Sequence, residues 1–124
     1  MLIRVELNGA NYARRTLFGL SSKVKQKINQ ETMKSAINIQ TQAKRLCAVD
    51  TGRLRSSIMV QRLDKGLISI GTNVTYAPYL EYGTRRQRAQ PFLTPAFNQE
   101  KPRYIEAIKE LTKSNALERL LGIR

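Results

Sequence analysis

The stretch "SKVKQKINQETMKSAINIQTQAKRLCAVDTGRLRSSIMVQRLDKGLISIGT", Ser22 to Thr72, changes its apolar period partway along. In its first half Val24, Ile28, Thr32, Ala36, Ile39, Ala43 and Leu46 recur at spacings of three and four, flanked by Met33 and Ile37. That spacing predicts a helix over Ser22 to Leu46, about 37 Å long at a rise of about 1.5 Å per residue. Ser21 or Ser22 suits its N-cap. Lys23, Lys27, Gln30, Lys34 and Lys44 fall on the other face, which is basic and solvent-directed. In the second half, "SIMVQRL" (Ser57–Leu63) and "LISIGT" (Leu67–Thr72) flank Asp64-Lys65-Gly66. Two runs rich in β-branched residues around a short glycine-containing turn predict a β-hairpin. Ile58, Val60 and Arg62 would share one face of its first strand, and Ile68 and Ile70 one face of its second.

Between the two halves, Asp50 or Thr51 can cap a short turn, and Gly52 supplies backbone angles that other residues resist. Towards the N-terminus, "LIRVEL" (Leu2–Leu7) reads as a strand ended by Asn8-Gly9, followed by a turn of helix within Tyr12 to Leu20. The first residues lack the apolar run of a signal peptide and are expected to belong to the fold. Towards the C-terminus, Pro78 and Gly83 bracket a helix of barely two turns, Ala77 to Tyr82. "RRQRAQ" follows as an exposed, mobile loop ending at Pro91. "PFLTPAF" opens the last helix, with Thr94 as its cap and Pro95 in its first turn. Phe97, Ile105, Ile108, Leu111 and Leu117 supply that helix's stripe, and Pro102 predicts a kink or restart near Glu100 to Pro102. "SNALERLLGIR" reads as a frayed turn or a disordered tail.

The 124 residues fit one domain, with its core over residues 2–113, and 41% of them are hydrophobic. No apolar run approaches the roughly 20 residues a membrane span needs. The single Cys47 has no internal disulfide partner, and with no His the chain offers no zinc or Cys–His site. No cofactor is expected, and a reducing cytosol is the expected place of synthesis. The charge is the outlier: 22 Lys and Arg against 9 acids, a net +13. Residues 1–66 hold 13 bases and 4 acids, so the excess lies mainly in the first half. Such a field favours polyanions or acidic protein surfaces.

Catalysis finds little support. There is no His for proton transfer, no close carboxylate pair, and no nucleophile elbow or Walker loop. Glu81 reads as an ion-pair partner of the arginines near it rather than a base. Cys47 follows a helix C-terminus, which does not activate a thiol. The densest functional signal is "YAPYLEYGTRRQRAQPFLTPAF", Tyr76 to Phe97, with three prolines, three arginines and tyrosines at 76, 79 and 82. Arg85, Arg86 and Arg88 could contact phosphates while the tyrosines stack bases. Tyr and Arg are also enriched at protein interfaces, and the prolines and glycine fix a scaffold rather than a groove, which favours assembly. The alternative is a small, basic, non-catalytic nucleic-acid-binding protein, although no helix-turn-helix or RNP signature accompanies the charge.

"VDTGRLRSSI", "IGTNVTYAPYLEYGT" and "AQPFLTPAF", in that order and spacing, resemble the signature of the head–tail joining, or tail-completion, proteins of long-tailed phages and prophages. The similarity covers about Ser22 to Ile108; Ala48 stands where many members carry a proline. The resemblance implies an α+β subunit, a small antiparallel sheet packed against a long N-terminal helix and a C-terminal helix. It implies a structural, non-catalytic virion protein that assembles as a ring, commonly a hexamer, after a stage in the host cytoplasm. Its partners would be further copies of itself, head-connector or stopper proteins, and a tail-tube or tail-terminator protein. Non-specific contact with passing DNA is compatible with the charge. On this reading the partner-facing residues are Tyr76, Tyr79, Glu81, Tyr82, Thr84, Arg85, Arg86, Arg88 and Phe92, with the arginine loop ordering on contact. Asp50, Thr51, Gly52, Gly83 and Pro91 shape the turns.

Overall fold

A computed structural model of the chain describes residues 2–8, 22–47, 52–63 and 66–121, the side chains of 114–121 excepted. The expected turn at Gly9, the helical turn within Tyr12–Leu20, the Ser21 cap, Ala48, Asp50, Thr51 and the Asp64-Lys65 pair lie outside those residues. The order of elements is β1 (Ile3–Asn8), α1 (Ser22–Leu46), α2 (Arg53–Ser57), β2 (Met59–Arg62), β3 (Leu67–Thr72), α3 (Ala77–Tyr82) and α4 (Leu93–Leu121). The three strands form one antiparallel sheet in the order β1-β3-β2, so the hairpin's second strand is central. This is the α+β class.

The sheet's register places Ile3, Val5 and Leu7 on the same face as Ile68, Ile70 and Thr72, with Val60 beside Ile70. That face meets α1 and α4, which pack against each other along much of their length. The opposite face carries Arg4, Glu6, Met59 and Gln61, all exposed, with Arg4 and Glu6 paired at 3.0 Å. Leu7, Ala36, Ile39, Ala43, Ile70 and Tyr104 are fully buried where the two helices cover the sheet. Each large apolar side chain so buried stabilises the fold by about 1.5–3 kcal/mol relative to exposure.

α1 has the expected ends, and its buried stripe is Val24, Ile28, Thr32, Ser35, Ala36, Ile39 and Ala43. Leu46 is not in that stripe; it is exposed, and Cys47 takes the buried position at the helix end. Polar members of the stripe are satisfied locally. Thr32 Oγ1 donates to the Ile28 carbonyl at 2.7 Å, so the proton in its 2.7 Å contact with Tyr104 comes from the tyrosine. Arg103 of α4 donates to Ser35 Oγ at 2.9 Å and pairs with Glu100 at 2.6 Å and Glu31 at 3.8 Å.

Four further expectations need correction. Ser57 ends the short helix α2 instead of opening a strand, and Ile58 is buried at the junction. Pro102 lies inside a continuous α4 and is exposed, so water can serve the carbonyl that lost its amide donor. Beyond Lys113 the backbone stays helical to Leu121 rather than fraying. The stripe of α4 is also shifted: Leu93, Ala96, Tyr104, Ile108 and Thr112 are buried, whereas Phe97, Ile105 and Leu111 only flank it.

Gly71 marks the tightest approach in the sheet. A β-carbon there would run into the Ile3 carbonyl oxygen and lie 2.8 Å from the Arg4 α-carbon. Gly71→Val should therefore push β1 off β3 and cost about 2–3 kcal/mol by denaturant unfolding, with faster amide exchange across Ile3–Leu7 than in β2. Unchanged stability with β1 amides still protected would contradict this packing.

Candidate assembly surface

The three short stretches singled out in the sequence are tied to one another by hydrogen bonds. Val74 N donates to Thr72 Oγ1 at 3.1 Å, and Ser57 Oγ donates to the Leu54 carbonyl at 2.6 Å. Ser57 has spent its proton, so Thr72 must donate in the 2.6 Å contact between the two hydroxyls. This chain of one polarity joins α2 to the end of β3. Gly52, in the left-handed region at φ 78°, lets the backbone enter α2. Arg55 Nε donates to the Lys44 carbonyl at 3.1 Å, and Gln40 Nε2 to the Ile58 carbonyl at 2.9 Å, fastening the same segment to α1.

The second tie is made by Glu81. Its side chain is only 5% exposed, and it is not an ion-pair partner of the nearby arginines as the sequence suggested. One carboxylate oxygen accepts from the amides of Phe92 (3.0 Å) and Leu93 (3.1 Å), the other from that of Thr94 (2.8 Å). These are among the amides that a helix start leaves without intrahelical partners, and the positive end of the helix dipole favours a carboxylate there. Glu81 thus caps α4 from the neighbouring helix, and Thr94 is a donor to it rather than the cap itself. Burial pushes its carboxyl group up, but the bonds from Thr94, Phe92 and Leu93 outweigh burial and hold it below the ordinary carboxylate value. A signal for this was present in the sequence. Phe92, at the cap position, has no polar side chain, so the helix start had to be satisfied from elsewhere.

Between the two ends of that clamp the chain turns sharply. Gly83 has φ 79° and ψ 175°, a region open in practice only to glycine, and not the left-handed helical region expected of it. A β-carbon there would lie 2.8 Å from the Ala89 amide nitrogen. Thr84 Oγ1 accepts from the amides of Arg86 (3.2 Å) and Gln87 (3.0 Å), while Thr84 N donates to the Gln87 carbonyl at 2.9 Å. Gln90 N returns to the Leu80 carbonyl at 2.7 Å. The arginine loop, expected to be mobile and to order on contact, is already a hydrogen-bonded turn.

Outside this scaffold stand Tyr76, Tyr79 and Tyr82, exposed at 38%, 59% and 73%. Arg85, Arg86 and Arg88 are exposed beside them and make no ion pair among the described residues, and Thr84 and Pro91 are also at the surface. Two residues expected to face a partner are instead inside the subunit. Glu81 is spent on the clamp, and Phe92, 1% exposed, is core. The structure therefore collects tyrosines and guanidinium groups with no ion pair among the described residues on a hydrogen-bonded corner, and withdraws the acid from it.

Glu81→Ala should destabilise the protein by roughly 2–3 kcal/mol, because it leaves buried amides without acceptors. Because the folded carboxyl is held low, its stabilisation is present above the unfolded carboxyl value and is lost as pH falls through the folded one. The melting difference between wild type and Glu81→Gln should accordingly close in acid, as followed by thermal unfolding from neutral to low pH. Gly83→Val should cost about 2 kcal/mol through backbone strain and contact with Ala89. A valine variant that melts like wild type would remove that assignment.

A family model described as "Bacteriophage HK97-gp10, putative tail-component" matches residues 14–83. The match takes in the α1 helix, the hairpin, α3 and Gly83, and stops short of the arginine loop and the start of α4. No curated protein and no solved structure matches the chain. With more than half of its length matched, the chain belongs to the HK97-gp10-like family of bacteriophage tail components.

Proposed function

We propose that this tail component is a structural, non-catalytic subunit of the head–tail junction. It assembles as a ring, sixfold in the virion, between the head connector and the tail tube. Its neighbours there are further copies of itself, stopper proteins on the head side and a tail-tube or tail-terminator protein on the other. The observation that carries this reading is the corner of three exposed tyrosines and three arginines with no ion pair among the described residues, Tyr76 to Arg88, backed by the Glu81 clamp. Large amphipathic rings lose little conformational entropy on contact, and arginines present planar forks to carboxylates, which suits a surface that must fit a protein. A rigid backing lowers the ordering cost of that contact. A ring also needs two different surfaces per subunit meeting head to tail, and a single corner of this kind supplies one of them.

The triple charge reversal Arg85→Glu, Arg86→Glu, Arg88→Glu should leave the subunit folded, because none of these side chains is buried or paired among the described residues. It should block the joining of heads to tails, so that complementation yields separate heads and tails by electron microscopy and infectivity falls at least tenfold. Normal infectious particles from the triple variant would refute this role for the corner.

A further inference from the structure

A second charged surface lies on α1, with a different chemistry. At about 100° per residue, Lys23, Lys27, Lys34 and Arg45 fall within a sector of about 40° on the face opposite the buried stripe. All four are exposed. They extend over roughly 33 Å of helix, and the uncharged hydrogen-bonding side chains of Gln30 and Thr41 stand between them. The one acid on α1, Glu31, lies about 40° outside that sector, half-buried, with Arg103 of α4 at 3.8 Å. Glu100, the acid of α4 nearest this face, is held by Arg103 at 2.6 Å and by Asn38 at 3.2 Å. Intramolecular pairing therefore draws these carboxylates off this face, and its four cations make no ion pair among the described residues.

We infer that the exposed stripe of α1 is a binding surface for the phosphate backbone of double-stranded DNA. Duplex DNA presents a negative charge about every 1.7 Å of its axis, a continuous rail that a row of three ammonium groups and one guanidinium can follow without reading sequence. Lysines are depleted at protein interfaces, where tyrosine and arginine are enriched, so the two basic surfaces of the subunit differ in the partner their composition suits. Lysine meets phosphate as a flexible point charge, and an amide side chain such as that of Gln30 can donate further phosphate contacts, whereas the Thr41 hydroxyl is already donated to the Ile37 carbonyl at 2.9 Å. This assignment deepens the junction reading and rests on it for its setting, a subunit placed around passing DNA, but the binding itself is a property of the chain alone.

The test is fluorescence anisotropy of a labelled 30-base-pair duplex of arbitrary sequence, titrated with the full-length protein across a salt series. Wild type should bind, with affinity falling steeply and linearly on a log–log plot. Lys23→Gln, Lys27→Gln, Lys34→Gln together should reduce the magnitude of that slope by about 2–3, since each phosphate contact contributes about 0.9. The same three positions changed to Arg should restore it, which a merely structural defect would not allow. Arg85→Gln, Arg86→Gln, Arg88→Gln should leave the slope within about 1 of wild type. An unchanged slope in the glutamine variant, or a larger loss in the arginine-loop variant, would overturn the assignment to α1. Displacement of the duplex by polyglutamate at equal charge would overturn it too, in favour of an acidic protein partner. Particle assembly with the charge-reversed loop reports on the junction reading separately, so the two can fail independently.

Discussion

A single carboxylate determines how the corner of this protein is built. The C-terminal helix begins at Leu93 without a polar side chain of its own in the capping position, so its first amides would be buried without acceptors. Glu81, on a helix of six residues that could not stand alone, supplies both oxygens to them. Each element completes the other. The short helix is held in place by the long one, and the long one can start where it does because the short one is there. The nine-residue passage from Gly83 to Pro91 is then closed at both ends, with the amides of Thr84, Arg86 and Gln87 bonded within the turn and that of Gln90 bonded back to Leu80, while its arginines are exposed.

Where structure follows from local period, it could be read directly. α1 has the expected ends, the hairpin forms, and Gly83 adopts a positive φ because only glycine can make that turn. What escaped were bonds between residues distant in sequence or facing unexpected ways. The Glu81 clamp spans 11 to 13 residues, so it leaves no periodic trace, and an acid among arginines reads naturally as an ion pair. The Ser57–Thr72 contact, 15 residues apart, drew Ser57 into a helix although its neighbours favour a strand. Pro102 was read from its intrinsic cost alone. On the exposed side of a helix whose other side packs along α1, that cost is met without breaking the helix. Tyr104 was missed from the core because a polar aromatic is not counted in an apolar stripe, yet Thr32 supplies the partner its hydroxyl needs.

The same positive charge has two uses in this reading, separated by chemistry and by position. On the corner it is carried by guanidinium groups among aromatic rings, and along α1 mainly by lysine amines, with Arg45 at the far end. Net charge alone, +13, could not distinguish a partner protein from a nucleic acid. The distinction comes from which cations are already neutralised. Arg103 is occupied by Glu31, Glu100 and Ser35, and it keeps those acids from quenching the neighbouring face.

The order of strands carries a consequence in time. β1 pairs only with β3, and their paired residues lie roughly 60 or more positions apart. At about 5–20 residues per second, a ribosome needs roughly 3–12 seconds to make the chain between them. Over that interval the strand that pairs with β1 does not yet exist, while α1 can form from local bonds within about a microsecond. Gly71 then has to receive the Ile3 carbonyl at close range, so the late pairing of β1 with β3 is a fit into a narrow slot rather than a loose zipping of edges. Until β3 is made, the edges of β1 are open, the exposure during synthesis at which neighbouring chains can pair wrongly.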